Sequence, residues 1–286
     1  MLQAASPQDA HQSQAFAAAF AREEGVPTYQ MANGSYGPVQ YCELLRRGLG
    51  LSPKLVVVSV YFGNDLIDAV DYAGLEGAES IRTKGRSYSI RDISELASRR
   101  QPNLTMAGVD AVLGASRLLG AAGMVVKSRL RGGVLESQPG AKFFSHPTAA
   151  TVFLPSYRMV TVDPQNPTVV DGLAVTSRCL GEIAARCAEH GVRCVVLSIP
   201  TKEFTYAEWQ GVQVPELAEL HAAERAVRLQ VFAAADAAGI PVIQTCEALV
   251  EGMRAGRMPW FATGDGHLSV VGHAIVAELL QHYWRG

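Results

Sequence analysis

The stretch "KLVVVSVYF", Lys54–Phe62, decides the fold prediction. It is a continuous apolar and β-branched run without polar alternation. Strands that are buried on both faces have this pattern, and they belong to parallel sheets covered by helices. The run therefore predicts an inner strand of an α/β fold.

Helical and strand patterns alternate on both sides of this run. Upstream lie an Ala-rich helix, a short β-prone run and a helix with Pro in its first turn: Ala10–Glu24, Val26–Met31 and the segment from Pro38. Downstream lie a helix from about Asp171 to His190, a strand ending at Pro200, a helix from about Pro215 to Ala238, a strand after Gly239 and a last helix after His267. Strands separated by helices of this length favour right-handed βαβ units, so we expect a three-layer α/β/α sandwich with a parallel sheet.

The domain prediction is a single domain over residues 1–286. The stretch from about 70 to 170 fits the alternation poorly, because it holds basic, Ser-rich and Gly-rich pieces around one helical pattern near Met106–Leu130. We interpret it as an insertion that covers one end of the sheet.

Composition excludes some partners and leaves others. The formal charge is -2, from 25 basic and 27 acidic residues, with no long run of either sign. This gives no electrostatic reason to expect nucleic acid or an anionic membrane as a partner, and it favours a small molecule or an uncharged polymer. The five cysteines are odd in number and have no CxxC spacing, which indicates buried free thiols.

Three polar clusters stand out, of which two follow predicted strands and one precedes the last helix. They are "NGSYGP" from Asn33, "YFGNDLID" from Tyr61 and "GDGHLS" from Gly264. The functional loops of an open parallel sheet lie at the carboxyl ends of its strands. Each cluster also has a simpler interpretation, as a turn in the first case and as a helix cap in the other two.

Taken together, the clusters resemble the SGNH hydrolases, the superfamily of GDSL-like esterases. "FGND", Phe62–Asp65, is similar to the GxND block of that family, and "DGHLSVVGH", Asp265–His273, looks like its late Asp-x-His block. "GVPTYQMANGSYGPVQY", Gly25–Tyr41, resembles the second block, and "IPTKEFTY", Ile199–Tyr206, is like a segment of several bacterial branches. The resemblance implies a flavodoxin-like sandwich and a serine esterase.

The resemblance also implies a role for each site residue. His267 is expected to be the base, with Asp265 as the carboxylate that orients it. Asn64 would donate a side-chain N–H to the oxyanion, and the loop at Gly34 and Ser35 would donate a backbone N–H. No cofactor and no metal is expected, and the substrate would be a small-molecule or carbohydrate ester.

Three departures from the family pattern change these expectations. Phe62 replaces the first Gly of the GxND block, and the Gly of the second block aligns with Ser35 rather than with Gly34. The third is larger, since the chain contains no GDS motif and the expected first strand is missing. We expect the nucleophile upstream of Met1, which would then be an internal methionine; the alternatives are a pseudoenzyme and Ser35 as a substitute nucleophile.

Other interpretations remain open at this point. Asp265, His267 and His273 are residue types that bind zinc or iron, but helical residues six apart lie on opposite sides of a helix. A polysaccharide O-acyltransferase would use the same residues as an esterase, and a non-catalytic protein would keep the pocket to bind carbohydrate or acyl groups. The absence of a signal-peptide pattern predicts a cytoplasmic protein, whereas a missing N-terminal segment would allow secretion or a membrane anchor.

Overall fold

The chain has a mixed α/β fold built on a parallel sheet. The computed structural model describes residues 15–32, 36–75, 141–146, 149–211 and 215–286. Three parallel strands form the main sheet in the order β1-β4-β5, and two antiparallel strands form a hairpin. The strands are β1 Leu55–Tyr61, β2 Lys142–His146, β3 Ala149–Phe153, β4 Arg193–Ile199 and β5 Val242–Gln244. The predicted parallel sheet is confirmed, whereas the three-layer arrangement stays a prediction.

Helices connect the strands of the sheet. They are α1 Phe16–Glu24, α2 Pro38–Gly48, α3 Asp65–Tyr72, α4 Pro155–Val162, α5 Pro167–Glu189, α6 Lys202–Gln210, α7 Pro215–Ala237, α8 Cys246–Arg254 and α9 Val270–Arg285. Pro38 opens α2 as predicted, and Gly25 ends α1 with a φ of 63°. A residue in this left-handed region commonly ends a helix, and glycine adopts it without steric cost.

The register of the sheet brings two loops to one edge. β1 pairs with β4 along its whole length, from Leu55 opposite Arg193 to Tyr61 opposite Ile199. Because the strands are parallel, the chain leaves both of them at the same end of the sheet. The loop after β1 holds Asn64, and the loop after β4 leads directly to Lys202.

Burial in the sheet is uneven. Val195, Val196 and Leu197 of β4 are fully buried, as an inner strand requires. In β1 only Val58 and Val60 are buried, and the other five residues are half-buried. The expectation that both faces of β1 are buried is therefore only partly met, because within the described residues β4 is the only strand that flanks it.

The predicted strand at Val26–Met31 is wrong. These residues form an irregular segment, and Tyr29 within it is 72% exposed. A strand is stable only when its backbone groups pair with a neighbouring strand. Nothing in the part of the chain that the structure describes pairs with this segment, so its β-prone composition has no effect.

The region predicted as an insertion contains elements that the sequence did not indicate. Its described part includes the β2–β3 hairpin and α4, whereas the predicted helix near Met106–Leu130 lies outside the described residues. Phe144 and Phe153 of the hairpin pack on Tyr206 of α6, with ring centroids 5.5 and 5.1 Å apart. The hairpin leads directly into α4, which carries Arg158.

Two further observations concern the thiols and the helices. All five cysteines are free; Cys42, Cys187 and Cys246 are buried, while Cys179 and Cys194 are half-buried. Among the residues described, no helix has both the length and the apolar character needed to cross a membrane.

Candidate functional site

Asp265 and His267 form a hydrogen-bonded pair in the loop before α9. The Nδ1 atom of His267 lies 2.6 Å from Oδ1 of Asp265, and the backbone N–H of His267 donates to the same oxygen at 2.9 Å. Because a carboxylate only accepts hydrogen bonds, Nδ1 carries the proton and Nε2 is left as an acceptor. The His267 side chain is 82% exposed, so Nε2 is open to a reactant.

The electrostatic surroundings keep Asp265 ionised. Partial burial raises the pKa of this carboxyl, but the hydrogen bonds and charge of His267, together with the charge of Lys202, lower it to about 2. An ionised carboxylate holds the imidazole in one orientation and stabilises it when it becomes protonated. The pair therefore has the properties of a general base with its orienting partner.

Lys202 fixes the backbone of the loop that carries this pair. Its Nζ donates to the carbonyl of Thr263 at 2.6 Å and to the carbonyl of Asp265 at 3.1 Å. The residue is fully buried, and it is the first residue of α6, directly after the cap Thr201. The end of β4 thus holds the Asp265 backbone in place.

Arg158 links the Asp265–His267 loop to the loop after β1. Its Nη1 donates to the carbonyl of Gly63 at 3.4 Å, and its Nε lies 3.5 Å from the Glu203 carboxylate. A Cβ atom on Gly266 would lie 1.7 Å from Nη2 of Arg158, so any other residue at that position would have to displace the Arg158 guanidinium. The Tyr61 hydroxyl adds a second link, because it donates to the carbonyl of Gly266 at 2.9 Å.

Asn64 and Asp65 have separate functions in the loop after β1. The Asn64 amide donates to the carboxylate of Asp68 one helical turn later. Buried Asp65 accepts from the Tyr61 backbone and from the Tyr41 hydroxyl, each at 2.9 Å. Asp65 therefore fixes the loop. Asn64, in contrast, keeps one side-chain N–H that can donate to another group.

The Asn64 amide and the Asp68 carboxyl influence one another. Burial raises the pKa of Asp68 to about 6, although the hydrogen bond from Asn64 lowers it, and the charge of Asp71 raises it further. Near neutral pH the carboxylate is mainly ionised, and it holds one of the two amide hydrogens of Asn64. The other hydrogen is available to a ligand.

The structure joins the loops that carry three of the five site residues that the sequence predicts. Asn64 lies in a loop that Arg158 and Tyr61 join to the loop of Asp265 and His267. Gly34 and Ser35 lie outside the described residues, so their role stays a prediction.

Sequence reasoning missed the side chains that hold these loops. The Lys-Glu pair in "IPTKEFTY" gave one signal, because two adjacent charges directly after a buried strand are buried only when they are paired. Lys202 and Glu203 are indeed 0% and 1% exposed. Arg158 gave no local signal, since its partners are distant in the sequence.

His273, the third residue of the alternative metal interpretation, has a different environment. His273 lies in the first turn of α9, where its ring stacks on Phe16 with centroids 6.0 Å apart. Within the described ranges, no group of three or more His, Cys, Asp or Glu residues is arranged to hold a metal ion. Ser269 rather than Asp265 caps α9, where it accepts from the Gly272 N–H.

Comparisons with known proteins give no relative. No family model, no curated protein and no solved structure matches this chain.

Proposed function

We propose that this chain carries the base and the oxyanion donor of an SGNH-type ester hydrolase. The observation that supports the proposal most is the 2.6 Å contact between Asp265 and an exposed His267. Arg158 and Tyr61 join the loop of Asp265 and His267 to the loop of Asn64. These are the groups that acyl transfer requires, namely a base, a group that orients it and a donor for the developing oxyanion.

In the proposed reaction a serine hydroxyl attacks the carbonyl carbon of the ester. His267 Nε2 takes the hydroxyl proton, and the free N–H of Asn64 stabilises the oxyanion of the tetrahedral intermediate. The intermediate collapses to an acyl-enzyme, and the departing alcohol takes the proton from His267. Water then attacks the acyl-enzyme in the same way, with His267 as the base, and the acid is released. Asp265 stays ionised throughout, because its pKa is about 2.

The proposal locates the serine in a GDS segment that precedes Met1. Two observations support this location. Among the described residues, β1 is flanked only by β4, and the β-prone segment Val26–Met31 pairs with no strand. An additional strand beside β1 would supply both missing partners and would end at the edge of the sheet that carries Asn64.

The test compares the 286-residue chain with a protein extended in frame through the upstream coding sequence. We expect negligible hydrolysis of p-nitrophenyl acetate by the shorter chain and clear hydrolysis by the extended one. In the extended protein, His267→Ala should lower kcat by about 10⁴-fold or more, because the base is lost.

His282→Ala is the matched control, since His282 is an exposed histidine of α9. It should leave kcat unchanged. An in-frame stop codon close to Met1 would contradict the upstream serine and favour a non-catalytic protein. Hydrolysis that is insensitive to His267→Ala would contradict the assigned base.

A further inference from the structure

Two cysteines from distant parts of the sequence meet where α2 packs on α5. The Cys42 thiol of α2 donates to the carbonyl oxygen of Cys179 in α5 at 3.5 Å, across 137 positions of sequence. The two thiols are also close enough to shift each other's pKa. The packing of α2 on α5 holds the two cysteines next to each other, which is the first condition for a disulfide between them.

A cleft of about 590 Å³ reaches this pair of thiols. Both cysteines line it, together with the charged residues Glu43 and Arg46 of α2 and Arg178 and Glu182 of α5. Cys42 is 6% exposed and Cys179 is half-buried, so a reagent in the cleft meets Cys179 first. The cleft has the size of a typical small-molecule site.

We propose that Cys42 and Cys179 form a redox-active dithiol that reacts with small-molecule disulfides entering this cleft. The product is an intramolecular disulfide that joins α2 to α5. Neither thiol belongs to the Asp265–His267 site, so this reaction is independent of ester hydrolysis.

The surroundings divide the chemical roles between the two sulfurs. The hydrogen bond with Cys42 lowers the pKa of Cys179 against the effects of burial and of the negative charge of Glu182, and the positive charge of Arg178 lowers it further. The same hydrogen bond and burial raise the pKa of Cys42. Because the thiolate is the nucleophile, Cys179 attacks first and Cys42 follows.

The reaction takes place in two balanced steps. The Cys179 thiolate attacks one sulfur of the small disulfide, whose S–S bond breaks, and one small thiolate leaves. Cys42 loses its proton and attacks the Cys179 sulfur of this mixed disulfide, which releases the second small thiol. One small disulfide is reduced to two thiols, and two protein thiols are oxidised to one disulfide.

The other cysteines provide internal comparisons. The neighbouring Cys194 lowers the pKa of Cys187 in the same way, but Cys187 is 1% exposed and neither residue lines this cleft. Cys246 is buried away from both pairs, and burial raises its pKa to about 12. At neutral pH we expect only the cleft pair to react in the folded protein.

The test exposes the folded 286-residue chain to glutathione disulfide and then alkylates the remaining thiols under denaturing conditions. Mass spectrometry of the whole protein and of its peptides counts the blocked sites. Wild type should lose two alkylatable thiols, at Cys42 and Cys179, without a stable glutathione adduct. The oxidised form should melt several degrees higher than the reduced form, because the new bond closes a loop of 137 residues.

Three variants decide the roles. Cys42→Ser should accumulate one glutathione adduct at Cys179, because the second step is blocked. Cys179→Ser should take up none in the same time, and Cys246→Ser should behave like wild type. Adducts on Cys42 in Cys179→Ser, or no protection of either thiol in wild type, would overturn the proposal. Equal reaction of all five thiols with glutathione disulfide would show that the chain had opened, and this result would also overturn the proposal.

Discussion

At the scale of single residues, Glu224 shows how burial of a carboxylate affects the loops around the candidate site. It is fully buried in α7, and it accepts from the backbone N–H of Thr201 at 2.9 Å and from the Thr201 hydroxyl at 2.5 Å. Burial raises its pKa to about 7, although the charge of Arg228 and the bonds from Thr201 lower it. Thr201 directly precedes Lys202, so this carboxylate supports the residue that holds the Asp265 loop.

Glu224→Gln should change how stability depends on pH. In the wild type the folded state binds more protons at Glu224 than the unfolded state does between pH 4.5 and 7, so the free energy of unfolding falls as pH rises. Between these two pH values, the free energy of unfolding of the wild type should fall by up to about 3 kcal/mol more than that of Glu224→Gln. Urea unfolding at a series of pH values measures it.

Glu208→Gln is the control with the opposite sign. Burial raises the pKa of Glu208, but hydrogen bonds from His221 and Arg225 outweigh it, so the pKa is lowered. This carboxylate adds stability above its unfolded pKa, and the contribution is lost as pH falls. If Glu224→Gln gave the same sign as Glu208→Gln, the raised pKa of Glu224 would be contradicted.

Spacing in the sequence was enough to single out Asp265, His267 and Asn64, because each stands in a short motif with its neighbours. It was not enough for Arg158 or Tyr61. The partners Gly63 and Gly266 lie 95 and 205 positions away from these residues, respectively. Contacts over such separations leave no local pattern, and only the folded chain shows them.

At the scale of elements, α5 approaches α3 closely enough to exclude a side chain. A Cβ atom on Gly172 would lie 2.1 Å from the carbonyl oxygen of Leu66. In the same helix, a Cβ atom on Gly181 would meet nothing within 4 Å. The two glycines therefore separate the effect of packing from that of helix propensity.

Gly172→Ala should destabilise the protein by about 3 kcal/mol, since the backbone of α3 has to move away from α5. Gly181→Ala should instead raise the free energy of unfolding by up to about 1 kcal/mol, because alanine favours a helix over glycine. Denaturant unfolding of both variants gives the comparison. Equal effects of the two substitutions would contradict the close contact between the helices.

Elements with a strong repeating pattern were predictable from the sequence, and weak ones were not. β1, β4 and the long helices α5 and α7 appear within a few residues of their predicted bounds. The hairpin of β2 and β3 was missed, because its packing on α6 rather than its composition stabilises it. The prediction of a strand at Val26–Met31 failed for the reverse reason. The composition of this segment favours a strand, but the described part of the fold has no neighbouring strand with which it pairs.

At the scale of the whole molecule, the outer edge of β1 connects the fold to the proposed function. The backbones of Lys54 and Phe62, on either side of β1, are hydrogen-bonded to β4. The backbone N–H and C=O groups of the even-numbered residues of β1 therefore point toward that strand. The backbone groups of Val57 and Ser59 point to the opposite edge of β1, because the hydrogen-bonding groups of consecutive residues in a strand alternate in direction. Tyr61 also faces outward, and Asp65 accepts its N–H.

Hydrogen exchange followed by NMR should distinguish these amides. In the 286-residue chain we expect the N–H groups of Val57 and Ser59 to exchange much faster than those of Val58 and Val60. In the protein extended upstream, the first two should become at least about tenfold slower, because a paired amide exchanges only when the strand opens. Strong protection of Val57 and Ser59 in the shorter chain would show that another segment covers the edge, which would remove this support for an upstream strand.

The burial of Lys202 has a consequence for chemical labelling. An amine reacts with acylating reagents only when it is deprotonated and reachable, and this one is enclosed while it donates to the carbonyls of Thr263 and Asp265. Lys54 and Lys142, by contrast, keep part of their surface exposed. Acylation of Lys202 would therefore occur when the loop of Asp265 and His267 leaves its place, which makes this lysine a built-in reporter of that motion.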